Sequence, residues 1–580
     1  MKPIVKVFTT VNESKIVFKY DSVIPSCNGF AIFKREKRGN IIKEPHALNN
    51  FLSYKDQMTN HQHIAFPSTS SPIQRFTWND YSADEGDVVS YKVVPMLMID
   101  NILRQDVENS SDWTDFTTLE FSGNRKAYFN RGIVSSQFLA NRLKAINPNF
   151  KKETLMSQVT NRESAIRKFL GGDVSKYLHK LLDEIKTNPE LSIFTVLYEL
   201  NEDELEDKLM AIGARVNLIL CNGQVKEKDD PLTPFDDTKP NEKAALKLAN
   251  SQVKMFRRRL AGGAAHHKFM VICRKGVAES VWTGSTNWTT GGLYTQVNNA
   301  VLIRDAQLAD IYLKQWGIVK EVIDKGDEKT SPTYYKKNNE SAHETGDSTV
   351  WFAPTKSISN TDDFKFNDLE AVKLLLENAK SGILYLMFSP SMSDTHSLYD
   401  AILDIHKRKS EQLFIHGVLN SERKIDSENP EISFQKRGEI VPKNKIVTDF
   451  PENIKTDFAN WIAELAGLNV KIHSKIIVID PFGDNPVVIT GSHNLGIAAS
   501  GKNDENMLII KNDRSLAHAY AVNILTIFDH FYWRYVASHD TTSIINVGLD
   551  ASPDWMKNFI EDAEKMQEIN FWLNDKRVVI

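Results

Sequence analysis

Cysteine is scarce in this chain. Cys27, Cys221 and Cys273 are scattered over 580 positions. An odd and widely spaced set argues against a disulfide framework and points to a reducing compartment. Long hydrophobic runs are missing as well. None reaches the roughly 20 apolar residues that a membrane-spanning helix needs. The opening residues, MKPIVKVFTTVNESKIVFKY, lack the apolar stretch of a signal peptide. The expectation is a cytoplasmic protein. Charge of one sign is also lacking: 71 Lys and Arg stand against 75 Asp and Glu, a net charge of -4. That argues against a uniformly basic coat and leaves room for a local basic groove.

Hydrophobic residues make up 41% of the chain and charged ones 25%, as in soluble globular proteins. The length is too great for one core and suggests about three to four domains. Residues 1 to 120 read as short strands, among them VKVFTTV, SKIVFKY, GFAIFKR and VSYKVVPMLMI, separated by polar turns. That spacing indicates a β-sandwich. The stretch RFTWNDYSADEGDVVSYKVVPM resembles the end of a fibronectin type III or immunoglobulin-like domain, with Trp78 and Tyr91 as core or corner residues.

From about residue 125 the pattern changes. SKYLHKLLDEIK and DELEDKLMAIG have helical periodicity, while LSIFTVLYEL and VNLILCNG are apolar runs of strand length. Helices alternating with buried strands indicate an α/β domain. Residues 325–349 are polar and nearly free of aliphatics, and read as a linker. The α/β pattern then restarts and runs through residues 350–580. The expected architecture is a sandwich (1–120), a first α/β half (125–324), a linker (325–349) and a second half (350–580).

Two stretches repeat. HHKFMVICRKGVAESVWTGSTN runs from His266 to Asn287, and HSKIIVIDPFGDNPVVITGSHN from His473 to Asn494. They align without a gap at a constant offset of 207 residues. His266 falls on His473, Lys268 on Lys475, Ser285 on Ser492 and Asn287 on Asn494. Further on, Asn298 falls on Glu505 and Asn299 on Asn506. Such a match indicates duplicated halves. Each copy begins as a strand, whose side chains alternate faces. Each histidine therefore shares a face with the lysine two residues on, and His267 and Asp480 point away. The glycine-serine turn, expected to lead into a helix at Asn287 or Asn494, offers backbone N–H groups to an anion. Two halves packed as a pseudo-dimer would gather two imidazoles, two ammonium groups and two amides around one small anion.

That set suits phosphodiester chemistry. One imidazole attacks phosphorus to give a phosphohistidine; the other protonates the leaving oxygen and then activates water. The lysines and asparagines stabilise the equatorial oxygens. Neither a metal nor a cofactor is called for. At these residues the chain resembles the phospholipase D superfamily, whose signature is HxK followed by Asp and then GSxN. The resemblance covers most of residues 125–540. It implies metal-independent cleavage or transfer at the junction of two α/β halves, with His266 as nucleophile and His473 as general acid/base. Two departures stand out. Cys273 replaces the Asp of the first motif, and the strand alternation turns it away from the pocket, so a structural consequence is expected. Asn298 stands where Glu505 stands in the second copy. Glu505 can hold a histidine and stabilise its imidazolium, whereas Asn298 can only orient one. Superfamily members that act on DNA ends tolerate both departures, which tilts the reading toward nucleic acid.

Lys254, Arg257, Arg258 and Arg259 precede the first motif. They read either as a phosphate clamp at the pocket rim or as the solvated face of a helix. Lys436, Arg437, Lys443 and Lys445 extend the same idea to the second motif. Trp288 is a candidate for base stacking, with a buried helix-start tryptophan as the plainer reading. Arg131 is a candidate phosphate contact. His61, His63 and His267 read as surface or packing residues, and no Cys or acidic partner gives the His266–His267 pair zinc-ligand spacing. Nucleic acid is the favoured substrate. A phospholipid head group would meet the same chemistry, and a non-catalytic scaffold would need neither histidine. A protein partner on the sandwich and self-association stay open.

Overall fold

The computed structural model describes residues 2–50, 66–120, 123–131, 146, 152–225, 240–261, 263–325, 336–358, 365–388, 397–409, 412–420, 433–436, 439–441, 472–539, 549, 550, 552 and 554–574. Strands Ile4–Thr9, Ser14–Lys19 and Thr77–Asp80 form one antiparallel sheet. Cys27–Arg38 and Val88–Ile99 lie at the centre of a six-stranded second sheet. Phe18 of the first sheet meets Phe30 of the second edge-on, with centroids 4.8 Å apart, and Phe76 touches both. Two alternating strands bury such residues between them, which makes this region a β-sandwich. Tyr91 is buried in it and donates to Asp80 Oδ2 at 2.8 Å. Trp78 is only half-buried, and Phe76 takes the core position. His61 and His63 lie outside the described residues.

Two larger mixed sheets follow, and their plans match. The first runs Arg125–Phe129, Asn299–Ile303, Val277–Gly284, Lys268–Arg274, Leu191–Leu197, Val216–Val225, Lys254–Ala261. The second has the corresponding order Ser348–Ala353, Glu505–Lys511, Val487–Gly491, Lys475–Ile479, Gly382–Met387, Phe414–Leu419, Ser433–Lys436, with one further strand at each edge. The seventh strand runs parallel to its neighbour in the first sheet and antiparallel in the second. In each half a parallel pair is joined through a helix, Asp203–Ile212 or Leu398–Lys409, as parallel pairing requires. The fold is thus α/β, with two duplicated halves behind an N-terminal β-sandwich.

The structure departs from the sequence expectations in three places. The basic run is a strand, Lys254–Ala261, not a helix face, and its period-two alternation turns Arg258 inward with Leu260. No helix starts at Asn287. A two-residue strand, Trp288–Thr289, pairs there with Leu200–Asn201, and a helical turn follows at Gly291–Thr295. The polar stretch 325–349 ends in an edge strand, His343–Thr345, paired with Ser348–Ala353. An edge strand has one free side and needs few aliphatics.

The end of the chain returns to its beginning. Trp555, on helix Trp555–Ile560, donates its indole N–H to Cys27 O and packs on Phe30. Phe571, on helix Ala563–Leu573, stacks on Phe414 with centroids 4.4 Å apart. These two helices therefore join the sandwich to the second α/β sheet. Among the described residues no helix is long and apolar enough to cross a membrane.

Candidate active site

The two halves meet through main chain. His266 N donates to Asp504 O, and Asp504 N to Ala264 O, both at 2.9 Å; opposite, His473 N donates to Val297 O at 2.9 Å. Gly263 permits this approach, because a Cβ there would lie 2.2 Å from Lys502 O. The turn glycines Gly284 and Gly491 have φ of +149° and +138°, and a Cβ on either would strike the carbonyl of Asn299 or Asn506. The residue type at these turns is thus fixed by the close packing of the motif on the strand that follows it.

Each histidine is oriented by the other half. His266 Nδ1 lies 3.0 Å from Glu505 Oε2, and His473 Nδ1 lies 2.9 Å from Asn298 Oδ1. The ring centroids are 6.5 Å apart. Glu505 Oε1 accepts from Asn503 Nδ2 at 2.9 Å, which fixes the carboxylate. Asn298 is fixed in turn: its Nδ2 donates to Gly292 O at 2.9 Å, and its Oδ1 accepts from Ser285 Oγ at 2.8 Å. The amide oxygen therefore faces the imidazole, which assigns the proton to Nδ1 of His473. By the same logic the Glu505 carboxylate draws the proton of His266 to Nδ1. Both Nε2 atoms are left with a lone pair.

The lysines frame the histidines symmetrically. Lys268 Nζ donates to His266 O at 2.9 Å, and Lys475 Nζ to His473 O. Each ammonium sits over an aromatic ring, Tyr198 at 4.9 Å and Phe388 at 4.7 Å. The same two rings meet the imidazoles edge-on, at 4.7 and 4.8 Å. Burial pushes Lys268 down to about 7, with Glu505 and Glu199 partly offsetting it. Lys475 is also lowered well below its usual range, first by burial and then by Lys268. His266 falls to about 4 through burial, despite Glu505. His473 is lowered by burial and then by both lysines and His266. Burial pushes the Glu505 carboxyl up, but His266 and Lys268 more than offset this and keep it ionised. Two lysines whose charge burial holds down and two neutral imidazoles form a site that gains by taking up an anion.

Sequence reading missed three residues here. Tyr198, Glu199 and Phe388 lie just past the strands Leu191–Leu197 and Gly382–Met387. Glu199 Oε2 accepts from Asn287 Nδ2 at 2.6 Å. The signal was available: both strands end at the level of the HxK strands they pair with, Leu197 opposite Lys268 and Met387 opposite Lys475. The Oδ1 atoms of Asn287 and Asn494 are buried and have no hydrogen-bond partner among the described residues. Ser285 and Ser492, the serines of the two turns expected to meet the anion, are wholly buried. Their hydroxyls accept from Asn299 N and Asn506 N at 3.0 Å, so both close the turn instead of facing a ligand.

The other candidates fall elsewhere. Asp480 Oδ1 accepts from the N–H groups of Lys380, Ser381 and Gly382, tying down the loop before strand Gly382–Met387. Cys273 occupies the equivalent place opposite Ser192 and is fully buried. The first half holds that loop differently, with Arg215 gathering the carbonyls of Ile185, Asn188 and Leu191. The missing Asp is thus replaced by a cation collecting oxygens. Arg258 is 0% exposed and donates from Nε to Asp504 Oδ2 at 3.0 Å, so it is a bolt between the halves and not a rim clamp. Arg257 is paired with Glu242, and Arg259 is half-buried. His267 is buried between Phe269 and Phe352. Trp288 is buried too and offers no face to a base. Arg131 lies over Phe169 at 4.9 Å. Lys436 ends the strand Ser433–Lys436, while Arg437, Lys443 and Lys445 lie outside the described residues. Among the described residues no group of three or more His, Cys, Asp or Glu could hold a metal ion.

Comparison with known proteins agrees with this duplicated site. A family model described as cardiolipin synthase, PLD-like domain, matches residues 181–316 and 372–527, together half of the chain. A curated phospholipase D from Rickettsia bellii (strain RML369-C) is 28% identical over 139 residues, 23% of this chain and 60% of that one. The match thus spans less than two thirds of that relative's length. Among solved structures, phosphatidylserine synthase from Haemophilus influenzae Rd KW20 is similar at 11% identity, over 68% of this chain and 92% of that one, with a TM-score of 0.39. Nuc from Salmonella typhimurium, a phospholipase D family member, is similar at 22% identity, over 25% of this chain and 87% of that one, with a TM-score of 0.20. With its paired HxK and GSxN motifs and a family match to both halves, the chain belongs to the phospholipase D superfamily.

Proposed function

We propose that this protein is a metal-independent phosphodiesterase that works through a phosphohistidine at His266, and that its substrate is a nucleic acid. One observation carries the reading: two buried imidazoles lie 6.5 Å apart, and each is oriented from the opposite half, one by a carboxylate and one by an amide. His266 Nε2 attacks phosphorus while the P–O bond to the leaving group breaks. His473, neutral in the free site, takes up a solvent proton at Nε2 as the phosphate anion binds; the leaving oxygen then takes that proton. Glu505 stabilises the positive charge left on the phosphorylated ring. A water then gives its proton to His473 Nε2 and attacks phosphorus, and the N–P electron pair returns to His266. Lys268, Lys475, Asn287 and Asn494 surround the equatorial oxygens. The amide on His473 suits a group that must give its proton away, because no carboxylate holds the charge there.

The nucleic-acid assignment rests on Asn298 and Cys273, the departures shared with superfamily members that act on DNA ends. The buried Trp288 and Arg258 lend it nothing. A phospholipid head group is the second reading, favoured by the relative that carries the phospholipase D name. The same proposal takes 1–120 as the sandwich, 125–324 and 350–580 as the two halves and 325–349 as the stretch between them, whose last residues pair into the second sheet, in a cytoplasmic setting. The test is turnover of linear and circular DNA, RNA and phosphatidylcholine vesicles in EDTA. Cleavage of nucleic acid in EDTA is expected. Turnover of vesicles alone would replace the substrate class, and turnover of nothing would overturn the catalytic reading.

The lysines set a pH dependence. kcat/KM reports the free enzyme. Lys268 titrates at about 7 there, so its charge is present below that pH and lost above it. kcat/KM is therefore expected to fall as pH rises through about 7, whereas kcat holds to higher pH because a bound phosphate raises the lysine's pKa. A kcat/KM that stays flat to about pH 9 would show that capture does not use this charge.

A further inference from the structure

The residue after each histidine-orienting side chain is also an asparagine, and it too reaches into the opposite half. Asn299 Nδ2 donates to Thr490 Oγ1 at 2.8 Å and to Tyr520 OH at 2.9 Å. Asn506 Nδ2 donates to Thr283 Oγ1 at 2.8 Å and to Tyr312 OH at 2.9 Å. The two clusters repeat each other to within 0.1 Å, each drawing its partners from the corresponding strand and helix of the opposite half. Both asparagines and both tyrosines are 0% exposed. Tyr312 stands on helix Ala306–Asp324 and Tyr520 on helix Arg514–His539. Phe269 and Phe352 pack around the first tyrosine, and Phe129 meets the second edge-on.

Neighbouring residues of a strand face opposite ways. Asn298 and Asn299 therefore grip the second half on both sides of one strand end, and Glu505 and Asn506 grip the first half in the same manner. The outer grip sets how far the inner residue reaches toward its histidine. We infer that Tyr312 and Tyr520 are positioning residues, each governing one histidine: Tyr312 acts through Asn506 on the Glu505–His266 pair, and Tyr520 acts through Asn299 on the Asn298–His473 pair. The inference rests on the catalytic reading above. It extends that reading by assigning the two roles, covalent carrier and proton carrier, to two helices remote from the phosphate.

The experiment uses Tyr312→Phe and Tyr520→Phe in the full chain, with Thr283→Ser and Thr490→Ser as conservative controls. Each tyrosine variant keeps the ring and loses only the hydroxyl. The first readout needs no turnover: the nitrogen-15 spectrum of the histidine rings, followed against pH. Tyr520→Phe is expected to move the His473 signals and leave His266 in place, and Tyr312→Phe to do the reverse. The serine controls keep an oxygen at the same place and are expected to match wild type. The second readout is kcat, expected to fall about tenfold in each tyrosine variant. Wild-type ring spectra in both tyrosine variants would overturn the inference. So would equal shifts of both histidines in each variant, because a general loosening of the interface does that. Absence of phosphodiester turnover in the wild type would sink the catalytic reading instead, and the ring spectra would still decide this one.

Discussion

Changing His266 to Ala is expected to lower turnover by about 10⁴-fold or more, and changing His473 to Ala by about 10²- to 10⁴-fold. The inequality follows from the partners. His266 has a carboxylate 3.0 Å from Nδ1, so its ring carries positive charge once phosphorylated at no further electrostatic cost. His473 has an amide oxygen at that place and only passes a proton. A substrate with p-nitrophenolate as leaving group needs little protonation. It is expected to restore most of the first step in His473→Ala and none in His266→Ala. Equal rescue of both variants would contradict the division of roles. Glu505→Gln keeps the hydrogen bond and loses the charge, and belongs with His266: about 10²-fold in kcat, not rescued by the better leaving group.

The second large effect is on stability. Arg258 and Asp504 are 0% and 1% exposed in their side chains, and their ion pair spans the two halves. Arg258→Ala leaves a carboxylate buried without its cation, a loss of about 3–5 kcal/mol. The double variant Arg258→Met, Asp504→Leu removes both charges and is expected to recover most of that loss. Urea unfolding of the three proteins checks both statements. A phosphate clamp at the rim predicts the opposite pattern. Stability would be unchanged, nucleic-acid affinity would fall, and the salt dependence of binding would flatten by about one charge.

The sequence and the structure agree where the pattern is local and repeated. The HxK and GSxN stretches share one offset, and strand alternation alone turned Asp480 and Cys273 away from the pocket. The alternation also paired each histidine with its own lysine. What stayed hidden depends on how the halves dock. Nothing in the order of residues says that Glu505 faces His266 and not His473, because the crossing is made by the strand ends at Asp504 and Val297. Tyr312 and Tyr520 are one residue out of the offset, so a gapless alignment could not match them. The run VKMFRRRLA reads as a helix face or a clamp because three arginines in a row look solvated. Its outcome is set by a buried acid 246 residues away in sequence. Tyr198 and Glu199 were legible only as the end of an apolar run, since their role comes from the strand they flank.

The central claim is that two histidines in one pocket divide the work, with His266 as the covalent one. The most direct measurement is to trap that intermediate. The His473→Ala protein, given bis(p-nitrophenyl) phosphate in EDTA and quenched in base, accumulates a phosphorylated peptide that mass spectrometry locates. The expected site is His266, with an adduct stable in base and lost in acid. A modification on any other residue, or an intact protein with no adduct while p-nitrophenolate is released, would contradict it.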